Sequence, residues 1–221
     1  MIIKVYRTVS GRSPGEDYLL RLSKPDRADV LETFKAIEKN GFSAPVSMRQ
    51  IRGKLWELRI SQNRIFYVMV ESDTMVLLHA YKKQGQKAPD RETETALQRM
   101  AEFIRLGEEM KKINKRNVKD LPSIGPFIRE QEKDPEMKVL MDRAGLRIEI
   151  ARVIKTAREK AGLTQAELAK KLGKTQAQIG RLESLRDKRL PSLELLAEIA
   201  AVTKRRLIVD HPGIHFELVA T

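Results

Sequence analysis

Two short helices joined by a tight turn are the feature that most restricts the fold of this chain of 221 residues. They are encoded in LTQAELAKKLGKTQAQIGRLES. Thr164 stands three positions before Glu167, the spacing of a capping box at a helix start, and Gly173 suits the turn that ends this helix. Thr175 is placed to cap the second helix. The apolar residues that recur at helical spacing, and so predict one inward face, are Leu168, Ala169, Leu172, Ile179 and Leu182.

The segments on either side extend this pattern into a small domain. LRIEIARVIKTAREKAG has apolar side chains on one face and ends at a glycine, and a later helix is predicted to open at Ser192. RLIVDHPGIHFELVA predicts two short strands joined at Pro212–Gly213. Residues 146–221 therefore predict an all-α helix-turn-helix domain with a short C-terminal β-hairpin.

The elements T-Q-x-E-L-A, a glycine turn and I-x-x-L-E share the spacing of the helix-turn-helix in Xre/Cro-type phage repressors, which this half resembles. The resemblance implies that the second helix of the motif enters the major groove of DNA. There a glutamine can pair with adenine, an arginine with guanine, and an alanine can contact a thymine methyl group. The implied contacts with bases and phosphates are Gln165, Lys174, Thr175, Gln176, Ala177, Gln178 and Arg181. Glu183 is predicted to anchor the motif internally.

The size of this module predicts an oligomer. A single helix-turn-helix contacts too little DNA for strong specificity. We therefore expect operator DNA to be bound by a homodimer that forms through this half of the chain.

Residues 1–106 predict a separate α+β domain. IIKVYRTV alternates like a strand, and Pro14 opens a helical pattern that breaks near Ser23–Pro25 and stops at Gly41. IRGKLWELRIS, RIFYVMVES and TMVLLHAYK are separated by short polar turns and predict an antiparallel meander. APDRETETALQRMAEFIR predicts a closing helix that ends near Leu106. This order describes a helical hairpin on a small antiparallel sheet.

Four segments follow one another in this half: RQIRGKLWELRI, RIFYV, VLLHAYKKQGQKAP and a final A-L-x-R-M helix. Together they resemble the HigB-like branch of the RelE toxin superfamily. The resemblance implies a RelE-like fold and a small ribonuclease that cleaves mRNA on the ribosome.

RNA can be cut without a metal or a cofactor when its own 2′-hydroxyl attacks the neighbouring phosphate. The reaction needs a proton acceptor, a cation for the charge that builds on the phosphate, and a proton donor for the leaving oxygen. Arginine grips phosphate in a bidentate manner, and the resemblance implies Arg64 for this role. The further catalytic candidates are Arg59, Lys82, Lys83, Glu57 and His79. The candidates for RNA binding are Arg52, Lys54, Lys87 and Tyr67. We expect the cations that end and begin the strands to converge on one region of the sheet.

Several of these roles have more than one interpretation. Glu57 and Arg59 lie where the best-known relatives have lysines, which leaves the general base open. His79 is either an acid or base or a core residue within an apolar run. Tyr67 is either a platform on which a base stacks or a packing residue. A solvated strand face would also account for the cations.

Residues 107–145 join the two halves. KDPEMKVLMDRAG resembles the helical segment that precedes the DNA-binding region in HigA-like antitoxins, which are normally separate chains and partners of HigB-like toxins. Met110 stands where a separate antitoxin would start. The chain is therefore predicted to be a toxin and its antitoxin fused head to tail. Residues 110–145, with the apolar LPSIGPFI, are predicted to pack on the toxin and restrict RNA access.

Composition narrows the classes of partner. The net charge is +13, of which +5 lies in residues 1–104 and +8 in residues 105–221, so both halves attract polyanions such as nucleic acid. Cysteine is absent, which excludes disulfides and thiolate sites. His211 and His215 lack further ligands, so no metal is expected. No signal peptide or long apolar run appears, and a cytoplasmic protein without a membrane partner is expected.

Two functions follow from the sequence. The first is a latent, metal-independent, ribosome-dependent mRNA endoribonuclease, neutralised by its own antitoxin half, which also binds operator DNA for autorepression. The alternative is a pure DNA-binding transcription regulator whose toxin-like half is a catalytically dead dimerisation module.

Overall fold

The computed structural model describes residues 1–70, 72–83, 90–113, 121–184, 189–210 and 215–220. The chain divides into two units. The first comprises Met1–Ser43 and Ser47–Met141, and the second comprises Ala44–Val46 and Asp142–Thr221. Within the described ranges, no helix combines the length and the apolar character that crossing a membrane requires.

The first unit is an α/β domain. Its elements in chain order are β1 (Ile2–Val5), α1 (Pro14–Arg21), α2 (Lys24–Asn40), a 3₁₀ turn (Gly41–Ser43), β2 (Ser47–Arg52), β3 (Leu55–Ile60), β4 (Asn63–Val70), β5 (Thr74–Lys82), α3 (Asp90–Ile113) and α4 (Gly125–Gln131). The helix α5 (Pro135–Lys160) begins in this unit and continues into the second.

The five strands form one sheet in the order β1-β5-β4-β3-β2. The predicted antiparallel meander is present as β3, β4 and β5. The prediction of an antiparallel sheet was wrong in one respect, because β1 lies parallel to β5 and makes the sheet mixed. IRGKLWELRIS is also not one strand. Gly53, with φ of 55°, turns the chain there and makes β2 and β3 an antiparallel hairpin.

The helical hairpin begins and ends where the sequence predicts. Ser13 and Ser23 cap α1 and α2 through their side chains, and a proline follows each cap within the first turn. Gly41, with φ of 57°, ends α2. The hairpin covers one face of the sheet, where the Tyr18 hydroxyl donates to Asn63 Oδ1 at 2.6 Å.

The opposite face of the sheet packs against α3. The buried cluster on this face consists of Tyr6, Leu55, Phe66, Val68, Val76, Leu78, Tyr81 and Ala96, flanked by Leu97, Met100 and Phe103 of the helix. The helix was expected to end near Leu106 but continues to Ile113, so Met110 lies within it.

Residues 121–141 complete the outer edge of β1. The Val5 N–H donates to Pro122 O at 3.0 Å, and the Ile124 N–H donates to Ile3 O at 3.1 Å. Lys4 forms an antiparallel bridge with Ser123. Buried apolar side chains anchor the segment and are Ile124, Ile128, Met137 and Met141. This edge of the sheet is therefore paired rather than open to solvent.

Ion pairs add to this contact. Lys24 at the start of α2 lies 2.7 Å from an Asp134 carboxylate oxygen and 2.5 Å from one of Glu136. Further along α2, Lys35 lies 3.0 Å from a Glu132 oxygen. Such exposed pairs add little energy individually, so the buried apolar residues hold the segment and the charges align it.

The second unit is a helical domain with a β-hairpin. After α5 it contains α6 (Gln165–Lys171), α7 (Gln176–Glu183), α8 (Leu193–Val202), β6 (Arg205–Asp210) and β7 (His215–Ala220), with the two strands antiparallel. Its core consists of Ile150, Val153, Ile154, Ala157, Leu196, Ile199, Ala200 and Leu218. A second cluster, Leu168, Ala169 and Ile179, joins α6 to α7.

Candidate nucleic-acid interfaces

Strand register brings four of the candidate catalytic residues of the first unit into two neighbouring rows. Arg59, Arg64 and Tyr81 lie opposite one another on β3, β4 and β5. Glu57, Phe66 and His79 form the next row. Directly opposed residues project from the same face of a sheet. The two rows therefore lie together, on the face that packs against α3.

The centre of the site is an ion pair. Arg59 Nε donates to Glu57 Oε2 at 2.5 Å, and the Glu57 side chain is only 3% exposed. A buried carboxylate without a partner would be strongly destabilising. Arg59 therefore supplies the counter-charge of Glu57, and Glu57 in turn fixes one edge of the Arg59 guanidinium.

Arg64 is held at the β3–β4 turn by backbone carbonyls. Its Nη1 donates to Ser61 O at 2.9 Å and to Asn63 O at 3.0 Å. Ser61 adopts a φ of 52°, which directs its carbonyl into this turn. The guanidinium is thus oriented at the end of β4, beside Arg59 across the pair of strands.

Tyr81 is a site residue that the sequence analysis missed. It is 7% exposed, and its hydroxyl has no hydrogen-bond partner within the described part of the chain. Burial raises the pKa of the phenol, and the Glu57 carboxylate raises this pKa further. The phenol therefore stays protonated near neutral pH and can donate. The alternation of His79 and Tyr81 in TMVLLHAYK was the available signal.

His79 is engaged at both ring nitrogens. Nε2 lies 2.5 Å from Glu92 Oε2, and Nδ1 lies 2.6 Å from Arg99 Nη1. Because a guanidinium only donates, Nδ1 must accept, which leaves the proton on Nε2 for Glu92. Burial lowers the pKa of His79. His79 therefore joins β5 to α3 as a neutral imidazole, and both partners were missed from the sequence.

The aromatic residues of the two rows stack on one another. The ring of Phe66 lies 5.7 Å from the ring of Tyr81 and 6.3 Å from that of His79, nearly parallel to both. Tyr67 projects to the other face, where it is 1% exposed, and burial raises its pKa to about 12. A ring so enclosed offers no face on which a base can stack.

The remaining predicted cations do not all join the site. Lys82 follows Tyr81 in β5 and therefore projects to the opposite face, which is covered by the helical hairpin. There its Nζ donates to Asp26 of α2 at 2.9 Å. Lys83 follows β5 at the same end of the sheet as Arg64, where its N–H donates to Gln62 O at 2.9 Å. Lys87 lies outside the described residues.

Arg52 and Lys54 are exposed at the opposite end of the sheet. They flank the turn between β2 and β3, whereas Arg59 and Arg64 flank the turn between β3 and β4. Leu55, the partner of Arg52, pairs with Val68, which is four residues along β4 from Arg64. At about 3.3 Å per residue this is roughly 13 Å. The cations thus form two separate groups.

The helix-turn-helix of the second unit begins with two capping boxes. Thr164 with Glu167 caps α6, and Thr175 with Gln178 caps α7. The Gln178 side-chain oxygen accepts from the Thr175 N–H at 2.8 Å, so capping occupies this oxygen. The residues that stand exposed along the start of α7 and its preceding turn are Lys174, Thr175, Gln176, Ala177, Gln178 and Arg181.

A chain of polar contacts leads from the interior to the exposed start of α7. Arg158 of α5 donates to both carboxylate oxygens of Glu183, from Nε at 2.6 Å and from Nη2 at 2.8 Å. Gln165 Nε2 donates to the same carboxylate at 2.9 Å, and its oxygen accepts from Gln176 Nε2 at 2.8 Å. The buried pair therefore fixes the two glutamines.

Two known families match the chain, one in each of its two units. Residues 17–101 match the family model described as Phage derived protein Gp49-like (DUF891). Residues 154–208 match the family described as Helix-turn-helix. Together these matches support a toxin–antitoxin fusion. No curated protein matches the chain.

Among the described residues, no group of three or more histidine, aspartate or glutamate side chains is placed to hold a metal ion. The site presents a carboxylate, two guanidinium groups and a buried phenol.

Proposed function

We propose that the chain is a self-neutralised toxin–antitoxin protein. Its first unit would be a latent mRNA endoribonuclease that acts on the ribosome. Its second unit would bind operator DNA as a dimer and repress its own transcription. The observation that carries the proposal is the pair of rows in which Glu57, Arg59, Arg64 and Tyr81 meet on one face of the sheet.

The geometry supports a metal-independent cleavage. The RNA 2′-hydroxyl gives its proton to the Glu57 carboxylate and bonds to phosphorus, while the bond from phosphorus to the 5′-oxygen breaks. Arg59 and Arg64 balance the charge of the phosphorane, and the Tyr81 hydroxyl protonates the leaving 5′-oxygen. The products are a 2′,3′-cyclic phosphate and a 5′-hydroxyl.

Neutralisation would depend on residues 121–141. Their contacts lie on β1 and α2, whereas Glu57 and Arg59 lie on β3. We therefore propose that the segment acts on the surface through which the toxin unit approaches its ribosome-bound substrate. Deleting residues 110–145 while the first unit stays folded is expected to release cleavage, and unchanged cleavage would rule out this role.

Growth and mRNA cleavage test the enzyme. Cells would express the full chain, residues 1–141 or residues 1–113, each with and without Arg64→Ala. Growth arrest and cleaved mRNA that depend on Arg64 support the ribonuclease. Fragments that fold but never cleave mRNA, in cells or on purified ribosomes, contradict it.

DNA binding is tested in parallel by gel shift with the upstream promoter. In the chain that lacks residues 110–145, Arg181→Ala should weaken promoter binding and leave the Arg64-dependent cleavage intact. Arg64→Ala should have the reverse effect. If both variants affected both activities, the assignment of one activity to each unit would be wrong.

One observation favours the alternative of a transcription regulator with a dead toxin-like module. Glu57 and Arg59 are bound to each other, where the resemblance would place two lysines, and His79 is engaged at both nitrogens. Repression that persists in a chain whose first unit never cleaves RNA would favour this alternative.

A further inference from the structure

Arg49 is a cation that lies beside the two rows of site residues, and no sequence pattern indicated that it would lie there. Arg49 lies on β2, directly opposite Glu57 of β3. Because opposed residues share a face, Arg49 lies on the face that carries Arg59, Arg64 and Tyr81. The row of Glu57, Phe66 and His79 thus begins with an arginine at the edge of the sheet.

Arg49 differs from the other arginines of the site in its partners. Arg59 is bound to Glu57, and Arg64 donates to backbone carbonyls. Arg49 is exposed, and within the described ranges its side chain forms no hydrogen bond or ion pair. The carboxylate nearest to it along the register is already occupied by Arg59. Its guanidinium therefore keeps all of its donors for a ligand.

The position of Arg49 suits an anionic ligand that extends from the site. Arg59 lies opposite Ser47, so Arg49 and Arg59 are diagonal neighbours, at about 7–8 Å. A chain of phosphates that bound Arg59 and Arg64 would pass within reach of Arg49 at the edge of the sheet. Its planar fork suits bidentate contact with phosphate.

We propose that Arg49 binds a backbone phosphate of single-stranded RNA next to the phosphate that is cleaved. This inference rests on the proposed ribonuclease function and adds to it a substrate-positioning residue. Arg49 would raise the affinity for RNA without entering the chemical step.

The test measures binding of the full chain to a 2′-O-methyl RNA oligonucleotide, which lacks the attacking hydroxyl and cannot be cleaved. Excess duplex DNA occupies the second unit, and affinity is measured over a range of salt concentrations. Each phosphate contact on single-stranded RNA contributes about 0.7 to the slope of log K against log salt. Arg49→Ala and Arg49→Gln should each reduce the slope by about 0.7 and the affinity on the order of tenfold.

Two further variants separate a phosphate contact from a general effect. Arg49→Lys keeps the charge, so it should keep the slope of the unmodified chain while losing part of the affinity. Lys39→Ala removes one charge from an exposed residue at the end of α2, and it should change neither quantity. Fluorescence of Trp56, the single tryptophan, reports whether each variant remains folded.

The outcomes distinguish this inference from the function on which it rests. If Arg49→Ala and Arg49→Gln bind RNA with an unchanged slope, Arg49 does not contact phosphate, whether or not the chain cleaves mRNA in a translation reaction. If the slope falls but the folded fragments of the first unit never cleave mRNA, the RNA contact stands and the ribonuclease proposal fails. If the unmodified chain binds no RNA, the inference about Arg49 fails, whereas the ribonuclease proposal is decided by the cleavage assay with those fragments.

Discussion

His79 is the residue whose burial has the clearest consequence for pH. Its pKa is lowered by burial from the ordinary value of 6.5, and its neutral form is fixed between Glu92 and Arg99. The unfolded chain therefore binds a proton in the window just below pH 6.5 that the folded chain does not. Folding stability must rise with pH across that window and fall as the pH drops through it.

We expect His79→Gln to remove this part of the pH dependence. The measurement is urea unfolding followed by Trp56 fluorescence, at several pH values between about 5 and 7. The slope of unfolding free energy against pH should be smaller in the variant. Val139→Ala, at an exposed residue that does not titrate, is the control and should keep the slope. An equal slope in the His79 variant would contradict the neutral assignment.

In the second unit, the Arg158–Glu183 ion pair is the single interaction with the clearest consequence for stability. Both side chains are nearly enclosed, 10% and 3% exposed. Glu183→Gln removes the buried counter-charge of Arg158, and breaking a buried pair in this way typically destabilises by about 3–5 kcal/mol. Chemical unfolding followed by helical circular dichroism measures the loss.

A second carboxylate near Arg158 provides a matched control variant. Glu159 also lies near Arg158, at 3.5 Å, but it is 53% exposed. Glu159→Gln should change stability by less than about 1 kcal/mol. Since Glu183 also holds Gln165 and hence Gln176, only Glu183→Gln should weaken operator binding in a gel shift. Equal effects of the two variants would show that burial does not decide the outcome.

At the scale of elements, the sequence predicted the features that depend on residues close to one another in the chain, namely the starts and ends of helices. The caps at Thr164 and Thr175, the break near Ser23 and the stop at Gly41 are all confirmed, because each involves residues within one turn of the helix. The β2–β3 boundary was missed. Gly53 lies inside an alternating run, and nothing local marks it as a turn rather than as a strand residue.

Strand register explains which site residues could be predicted. Arg59 and Arg64 flank one turn, so their proximity follows from a short loop. Tyr81 and Arg49 join the same face only through pairing between strands, and Arg99 joins through helix packing. Alternation in the sequence places Tyr81 on the same face as His79, but no spacing within the sequence encodes the contacts between strands or with the helix. The same reason explains why Lys82 was grouped with cations on the other face.

The segment that pairs with β1 provides the element-scale prediction. The Ile124 side chain is fully buried, so Ile124→Ala should cost about 2–5 kcal/mol of folding stability in the first unit. Trp56 fluorescence during urea unfolding measures this cost. Val139→Ala, at a residue of α5 that is 67% exposed, should change stability by less than about 0.5 kcal/mol. If Ile124→Ala left the free energy of unfolding unchanged, the segment would not be part of the folded unit.

At the scale of the whole molecule, the two units have separate cores. The described clusters around Phe66 and around Ile154 share no residue. We therefore expect Ile124→Ala to accelerate amide hydrogen exchange in β1 and β5, and Glu183→Gln to accelerate it in α6 and α7. Each variant serves as the control for the other in mass spectrometry of peptic peptides. Acceleration throughout the chain by either variant would contradict independent stability.

The pairing of β1 with residues 122–124 also protects the chain against aggregation. An open strand edge is a template for strands of other molecules. One edge of the sheet is closed by this segment, and the other, β2, carries Arg49 and Arg52 and a register irregularity between Gln50 and Arg52. Like charges and a bulge both discourage edge-to-edge growth. Removing the segment would therefore free the edge of a largely apolar strand, and the resulting fragment should precipitate or form fibrils more readily than the full chain.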